Sequence, residues 1–338
     1  MNSQERLYDV YAIGNALVDI EYEVTPEQLT ELKIEKGVMT LVDELQQETI
    51  VERLVTHQGG RGSGGSAANT VIALCQLGGR AFYSCRVASD ETGRFYIEDL
   101  CRSGVVTSTQ RHAKAKGITG KCLVLITPDA DRTMNTFLGA SADISVEDVD
   151  EEAIRQAEYV YIEGYLVAGP SSGAAALHAA RKAREYGTKI ALSLSDPNIV
   201  HYFRPAMEEL VGDGVDLLFA NEDEAKRMAG TENLDEAIES TRKIARQFVI
   251  TRGGKGAVAF DGTSLHMIAP VPVQAIDTVG AGDMYAGVFL YGITQGMDFP
   301  RAGRLASLAA SRIVSTMGPR LKPGQLKEIL VEFEAGEK

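Results

Sequence analysis

The stretch DTVGAGDMYAGVF, Asp277–Phe289, places two glycines and an alanine between two aspartates and then continues in small and apolar residues. The preceding VPVQAI alternates as a strand does and the following residues are helical in composition, so the glycines are predicted to form a strand-to-helix turn. Gly280 and Gly282 allow tight backbone there. The free N–H groups and the dipole of the helix then make an anion site. Beside it, Asp283 is either a general base for phosphoryl transfer or an ordinary charge at a helix start.

Composition limits the classes of function. The chain has 338 residues, of which 44% are hydrophobic and 24% charged, as is usual for globular proteins. A net charge of −13 argues against nonspecific nucleic-acid binding. No apolar run approaches the roughly 20 residues of a membrane span, and MNSQERLYDV has no signal core. The cysteines form no CxxC motif, so reduced buried thiols are expected rather than a zinc or redox site. We therefore expect a cytoplasmic protein that acts without nucleic acid or membrane. A small-molecule substrate that bears phosphate remains compatible with this charge.

Short β-rich runs alternate with helical stretches along most of the chain. Several of the runs are almost continuously apolar, which favours strands covered on both faces. The alternation predicts an α/β fold with a mostly parallel central sheet flanked by helices. The predicted strands include Tyr8–Gly14, Ala81–Ala88, Lys121–Thr127, Tyr159–Gly164, Lys189–Leu194, Asp216–Ala220, Gln247–Thr251 and Gly256–Phe260, and the predicted helices include Ser66–Leu77, Ser171–Tyr186 and Glu222–Ala229.

Two regions interrupt this alternation. NALVDIEYEV after Gly14 reads as a strand, and KCLVLIT and RTMNTFL flank the turn PDAD between Ile118 and Leu138. We expect one domain, residues 1–338, that carries a small β-sheet lid assembled from segments of about 15–45 and 105–140. An exposed lid sheet would also suit a dimer interface, so monomer and homodimer both remain open.

A second glycine-rich run, GGRGSGGSAANTVIAL, spans Gly59–Leu74. It matches a dinucleotide fingerprint loosely, but no clear strand precedes it and no acid follows at the required distance. A P-loop is excluded because no Gly-Lys-Ser/Thr follows. The simplest interpretation is a loop with Ser66 as the N-cap of the next helix.

Three further patterns carry polar residues. In GNALVDI, Asn15 and Asp19 would share one face of a strand, where a carboxylate can accept bonds from two vicinal hydroxyls. From the spacing alone, a strand end with solvent-facing polar groups is the favoured interpretation. In NEDEA, Asn221 and Glu224 form a capping-box pattern that needs no function. The loop TRGGKGA joins two strands and fits a hairpin turn, and Arg132 fits a surface arginine beside acidic neighbours.

Together these motifs resemble the ribokinase-like (PfkB) family of sugar and nucleoside kinases, in the family's order from about Tyr8 to Lys322. DTVGAGD resembles the C-terminal signature and SGGSAAN the N-terminal one, while GNALVDI is closest to the adenosine kinase branch. The resemblance implies a three-layer ribokinase-like fold and a kinase that uses ATP and Mg²⁺ to phosphorylate a primary hydroxyl. Adenosine is the first choice of acceptor. Ribose, fructose or a related sugar is the alternative, and a catalytically silent nucleotide-binding relative is a third.

The resemblance also assigns roles. Asp283 would be the catalytic base, and Arg132 would reach the phosphates when the lid closes. The anion hole would be Gly280, Ala281 and Gly282. The acceptor would be held by Asn15, Asp19, Gly64, Gly65, Asn69 and Leu138, with Met39 and Phe137 as further apolar candidates. ATP and its phosphates would contact Ser195, Asn221, Thr251, Gly253, Gly256 and Thr278. Glu224 would hold Mg²⁺ through water, and a K⁺ ion beside Asp277 is left open.

Overall fold

The computed structural model describes residues 6–37, 39–54, 58–108, 116–129 and 132–336. Ala130 and Asp131, which belong to the predicted turn PDAD, and residues 109–115 of the predicted second lid segment lie outside this description. The strands are β1 (Tyr8–Ile13), β2 (Leu17–Glu23), β3 (Met39–Leu41), β4 (Gln58–Gly64), β5 (Ala81–Ser84), β6 (Thr119–Ile126), β7 (Arg132–Gly139), β8 (Ala157–Glu163), β9 (Lys189–Ser193), β10 (Val215–Asn221), β11 (Ala245–Thr251), β12 (Ala257–Phe260) and β13 (Leu265–Ile268).

The helices surround these strands. They are α1 (Pro26–Leu32), α2 (Glu44–Leu54), α3 (Ser66–Gln76), α4 (Glu91–Arg102), α5 (Glu151–Arg155), α6 (Pro170–Tyr186), α7 (Pro197–Tyr202), α8 (Arg204–Val211), α9 (Glu222–Ala229), α10 (Leu234–Ile244), α11 (Ala281–Thr294), α12 (Phe299–Ile313) and α13 (Gln325–Gly336). Among the described residues, none of the helices has the length and hydropathy that a membrane crossing requires.

The large sheet has the strand order β13-β12-β11-β10-β9-β8-β1-β5. The strands β5, β1, β8, β9, β10 and β11 pair in parallel in that order, and β12 and β13 are antiparallel. Along β1, Val10 and Ala12 enter one hydrophobic core, while Tyr11 and Ile13 enter another on the opposite face. Because successive side chains of a strand point to opposite faces, a sheet covered on both faces needs such continuously apolar strands. The predicted α/β fold with a mostly parallel central sheet is confirmed.

Small residues let helix α11 pack closely inside the first of these cores. A side chain at Gly287 would collide with the backbone of Thr70 in α3. Two residues further along the helix, Phe289 contacts Phe219 of β10 edge to face, with ring centroids 5.9 Å apart. The run that follows the DTVGAGD stretch therefore buries this helix against the sheet.

The second sheet has the order β3-β7-β6-β2-β4 and encloses a small core of its own with α1 and α2. Strands β2 and β6 pair in parallel, for example Asp19 with Cys122. Its strand β4 lies outside the two segments from which the lid was predicted. The sequence conceals β4 because QGGRGSG has low strand propensity, and antiparallel pairing with β2 determines its conformation.

Other sequence predictions were wrong in detail. VPVQAI, residues 271–276, forms no strand. Pro270 and Pro272 lack the N–H groups that a ladder requires. The strand predicted over Ala81–Ala88 ends at Ser84, and Cys101 is an exposed rather than a buried thiol.

Candidate active site

Two cavities meet where the carboxyl ends of the parallel strands face the second sheet. The first, of about 430 Å³, lies between Asp283 and the second sheet. The second, of about 420 Å³, lies against the loop after β11 and helix α12. Thr251, Gly282 and Tyr285 line both cavities, so a molecule in one can reach a molecule in the other.

The turn before α11 separates the two cavities. Gly280 is the N-cap of α11 with a left-handed φ of 76°, and a Cβ there would lie 2.5 Å from the carbonyl oxygen of Pro319. Nothing lies within 4 Å of a Cβ built on Gly282, which faces open space. Ala281 lines the second cavity. The first N–H groups of a helix have no partner within the helix, and that of Ala281 makes a long bond to the carbonyl oxygen of Thr278 at 3.3 Å. This turn therefore offers donors to an anion at the junction.

Two side chains of α3 hold the Asp283 carboxylate. The Ser66 hydroxyl donates to Oδ1 at 2.6 Å, and Nδ2 of Asn69 donates to Oδ2 at 3.1 Å. Burial raises the pKa of Asp283, while these two hydrogen bonds lower it. The carboxylate is thus fixed in orientation and made more basic than a solvated one.

Ser66 is therefore not the N-cap that the sequence predicts. The N-cap is Gly65, with a left-handed φ of 103° and no side-chain cap bond. A Cβ on Gly65 would collide with the carbonyl oxygen of Asn15, so only glycine allows the turn. One residue later, Ser66 is in the helix and its hydroxyl is directed at Asp283.

Asn15 and Asp19 both line the first cavity, but only Asp19 lies on β2. Nδ2 of Asn15 donates to Oε1 of Glu163 at 2.8 Å. Burial raises the pKa of Asp19 to about 7, against the lowering effect of Arg320 and Arg132.

Gly64 borders the Asp19 carboxylate, which a side chain at Gly64 would meet. Gly65 and Asn69 line the cavity wall.

Glu163 is a site residue that the sequence analysis missed. It ends the buried strand β8, lines the first cavity and accepts hydrogen bonds from Asn15 and from the backbone N–H of Ala67. Burial raises its pKa to about 7. The available signal was a lone acid at the carboxyl end of the apolar run YVYIE.

The side of the second sheet that faces Asp283 is mostly apolar, and Asp19 and Thr136 are its polar residues that line the cavity. Of the three apolar candidates for base recognition, Leu138 and Met39 line the cavity, whereas Phe137 does not. Alternate residues of a strand point to opposite faces, so the neighbours of Leu138 face away. The apolar lining from this sheet consists of Leu17, Met39, Leu41, Cys122, Met134 and Leu138, which we call the roof.

The far end of the first cavity contains the predicted capping box. Asn221 accepts from the N–H of Glu224 at 2.8 Å and donates to Oε1 of Glu224 at 2.7 Å. Burial raises the pKa of Glu224 to about 7, and the nearby Asp196 raises it further. Ser195 lines the same end in a left-handed conformation, φ 69°, and its hydroxyl accepts from the N–H of Gly164. A non-glycine residue in this region is uncommon and often lies at a functional site.

The second cavity brings together the other residues predicted to contact ATP. Thr251, Gly253, Gly256 and Thr278 all line it. This cavity also has an apolar wall that no sequence motif indicated, and the wall consists of Pro270, Val271, Pro272, Val273 and Val314.

Arg132 and Asp277 line neither cavity. The Arg132 side chain is 4% exposed, and its Nε forms an ion pair with Oδ2 of Asp277 at 3.0 Å. A second, longer pair joins Arg132 to Glu21 at 3.5 Å. The interpretation of Arg132 as a surface arginine was therefore wrong, and its contact with phosphates stays a prediction.

Comparisons with known proteins agree on one family. The model described as pfkB family carbohydrate kinase matches residues 39–324. The 5-dehydro-2-deoxygluconokinase of Geobacillus kaustophilus is 30% identical over 271 residues, which cover 75% of this chain and 79% of that enzyme. The crystal structure of a probable sugar kinase from Rhizobium etli is 33% identical, with a TM-score of 0.88 over 98% of this chain and 99% of that one. The adenosine kinase of Sinorhizobium meliloti is 35% identical, with a TM-score of 0.88 over 96% of this chain and 99% of that one.

Proposed function

We propose that this chain, which belongs to the pfkB family of carbohydrate kinases, transfers the γ-phosphoryl group of ATP to a primary hydroxyl of adenosine and so produces AMP. The family accounts for a kinase that acts on a hydroxyl group of a sugar or nucleoside. The choice of a nucleoside rests on the first cavity.

The observation that carries the choice is the apolar roof. A nucleoside has a flat, largely apolar base attached to a hydroxyl-bearing ring, so it suits a cavity with an apolar roof above a polar floor. A plain monosaccharide such as ribose would leave the roof residues facing water.

Charge argues against a sugar acid of the kind that the Geobacillus relative is named for. No lysine or arginine occurs among the described residues that line the first cavity, whereas Asp19, Glu163 and Asp283 do. The nearby guanidinium groups are engaged elsewhere, Arg132 with Asp277 and Arg320 with Asp99. A carboxylate in this cavity would be desolvated among other carboxylates, which is unfavourable.

The proposed mechanism uses Asp283 as the general base. The carboxylate accepts the proton of the attacking hydroxyl, and Ser66 and Asn69 hold it in position. The N–H groups from Gly280 to Gly282 stabilise negative charge on the transferred group. Asp19 binds the ring hydroxyls, while Asn15, held by Glu163, shapes the wall beside them.

The donor and its metal fit the remaining residues. The second cavity suits the base of ATP, since Val271, Val273 and Val314 form an apolar wall there. Burial and the neighbouring Asp196 raise the pKa of the Glu224 carboxyl to about 7, so a cation nearby would relieve the repulsion. Glu224 and Asp196 would hold Mg²⁺ through water, and the ion would neutralise charge on the phosphates.

The test is ADP release measured with adenosine, other nucleosides, ribose, fructose and a keto sugar acid as separate acceptors. Adenosine is expected to give the highest kcat/KM. A higher value with the sugar acid or with ribose would overturn the acceptor assignment. ATP binding without ADP release for any acceptor would favour a catalytically silent relative.

A matched pair of variants tests the roof. Leu138→Ala is expected to raise the KM for adenosine about tenfold, the loss of apolar contact for a few carbon atoms. Phe137→Ala, on the opposite face of the same strand, is expected to leave that KM within about twofold, because its side chain does not line the cavity. Equal effects of the two substitutions would contradict a base-binding roof.

A further inference from the structure

The ion pair between Arg132 and Asp277 joins the second sheet to the turn that precedes α11. Arg132 is the first residue of β7 and Asp277 lies three residues before the N-cap Gly280. Both side chains are almost fully buried, with 4% and 2% exposed.

Backbone hydrogen bonds hold the Asp277 carboxylate from the other side. Its Oδ1 accepts from the N–H of Val279 at 3.0 Å, and its Oδ2 accepts from the N–H of Gly318 at 2.8 Å. The residue after Gly318 is Pro319, whose carbonyl packs against Gly280. Asp277 thus connects both backbone segments that set the position of the anion-binding turn.

These contacts do not fit a K⁺ ion bound by Asp277. Each carboxylate oxygen already accepts a backbone N–H, and a guanidinium lies 3.0 Å from Oδ2. A further cation in the same place would meet the positive charge of Arg132.

We propose that Arg132 is a positioning residue that acts through Asp277: its guanidinium supplies an internal positive charge that fixes the turn before α11, and turnover needs no monovalent cation. This proposal rests on the kinase function proposed above. It differs from a direct contact between Arg132 and the phosphates, in which the guanidinium would act on the transferred group itself rather than through Asp277.

The first experiment replaces KCl by choline chloride at equal ionic strength. Turnover of the unmodified protein is expected to stay within about twofold, because ionic strength and screening are unchanged. Turnover that rises severalfold with KCl and not with choline would overturn the proposal.

The second experiment is a double-mutant cycle on kcat with Arg132→Ala and Asp277→Asn. Each substitution is expected to lower kcat on the order of a hundredfold, as for a catalytic group displaced by about 1 Å. The double variant is expected to be no worse than the poorer single variant, because both changes break one interaction. If the two single-variant reductions in kcat multiply in the double variant, or if Asp277→Asn has a normal kcat, a direct phosphate contact is supported and the proposal is overturned.

Two measurements separate failure of this proposal from failure of the kinase assignment. The same double-mutant cycle can be measured in melting temperature, which requires no activity. The decreases in melting temperature are expected to be non-additive, and additive decreases would overturn the coupling between Arg132 and Asp277. Lys36→Ala removes another cation close to the second sheet, one that pairs with the exposed Asp129, and is expected to leave kcat unchanged. If Lys36→Ala lowers kcat as much as Arg132→Ala does, loss of charge alone explains the effect and the proposal is wrong.

Discussion

Replacing Asp283 by Asn removes the charge of the proposed base and leaves the size of the side chain almost unchanged. The new amide would place an NH₂ group against Nδ2 of Asn69, the present donor to Oδ2. Oδ1 of Asn69 is buried and has no hydrogen-bond partner among the described residues. A half-turn of the Asn69 amide therefore restores the contact with reversed polarity. We expect the free energy of unfolding to change by less than about 1 kcal/mol, the net value of one hydrogen bond.

Turnover should respond very differently. Without a base, kcat is expected to fall at least about a hundredfold, or about 2.7 kcal/mol of barrier. Binding of ATP should persist, because the backbone N–H groups of Gly280 to Gly282 are unchanged. The assay is steady-state ADP release, with ATP titration calorimetry and thermal melting on the same purified variant. A folded Asp283→Asn protein with normal turnover would show that the carboxylate is only a charge at a helix start.

Three other predictions concern the surroundings of this carboxylate. Ser66→Ala should lower kcat about tenfold with an unchanged melting temperature, because a base held by one hydrogen bond is oriented less well; normal kcat in ADP-release assays would contradict this. Gly280→Ala should lower the melting temperature by several degrees, since its φ and the contact with Pro319 both require glycine. Gly282→Ala should melt normally but lose activity, because its methyl group enters the cavity junction. Similar melting temperatures of the two variants would refute the different roles assigned to these glycines. Burial raises the pKa of Glu163 to about 7 from 4.5, so the folded protein retains a proton that the unfolded chain has lost, and the free energy of unfolding falls as pH rises from about 4.5 to about 7. The melting temperature should therefore be higher at pH 6 than at pH 8. If a Glu163→Gln variant shows the same difference in melting temperature, this group is not its cause.

The parallel sheet and the turn at Gly280 were predictable because their signals are local. Continuous apolar runs identify strands covered on both faces, and glycines directly before a helical run identify the turn. Strand β4 was missed because its glycine-rich sequence carries no such signal and its conformation depends on pairing with β2. The alternation of VPVQAI was a misleading strand signal, because the prolines in and before this run lack the N–H groups that strand pairing requires.

The site was only partly predictable for a similar reason. Asp283 stands in a recognisable motif, but the roles of Ser66 and Glu163 depend on contacts with residues far away in sequence. Arg132 was placed at the surface by its acidic neighbours in sequence, whereas tertiary packing buries it against Asp277. Local composition gives no information on either kind of contact.

The sequence distance between Asn69 and Asp283, 214 residues, has a consequence for synthesis of the protein. The residues proposed to hold the acceptor leave the ribosome early, and the proposed base and its anion hole leave it late. Strand β1 likewise cannot pair with β8 until β8 has been translated, and strand pairings over such long sequence distances form slowly. A nascent chain therefore cannot assemble the cavity junction until most of it has been translated, and incomplete translation products would consume no ATP.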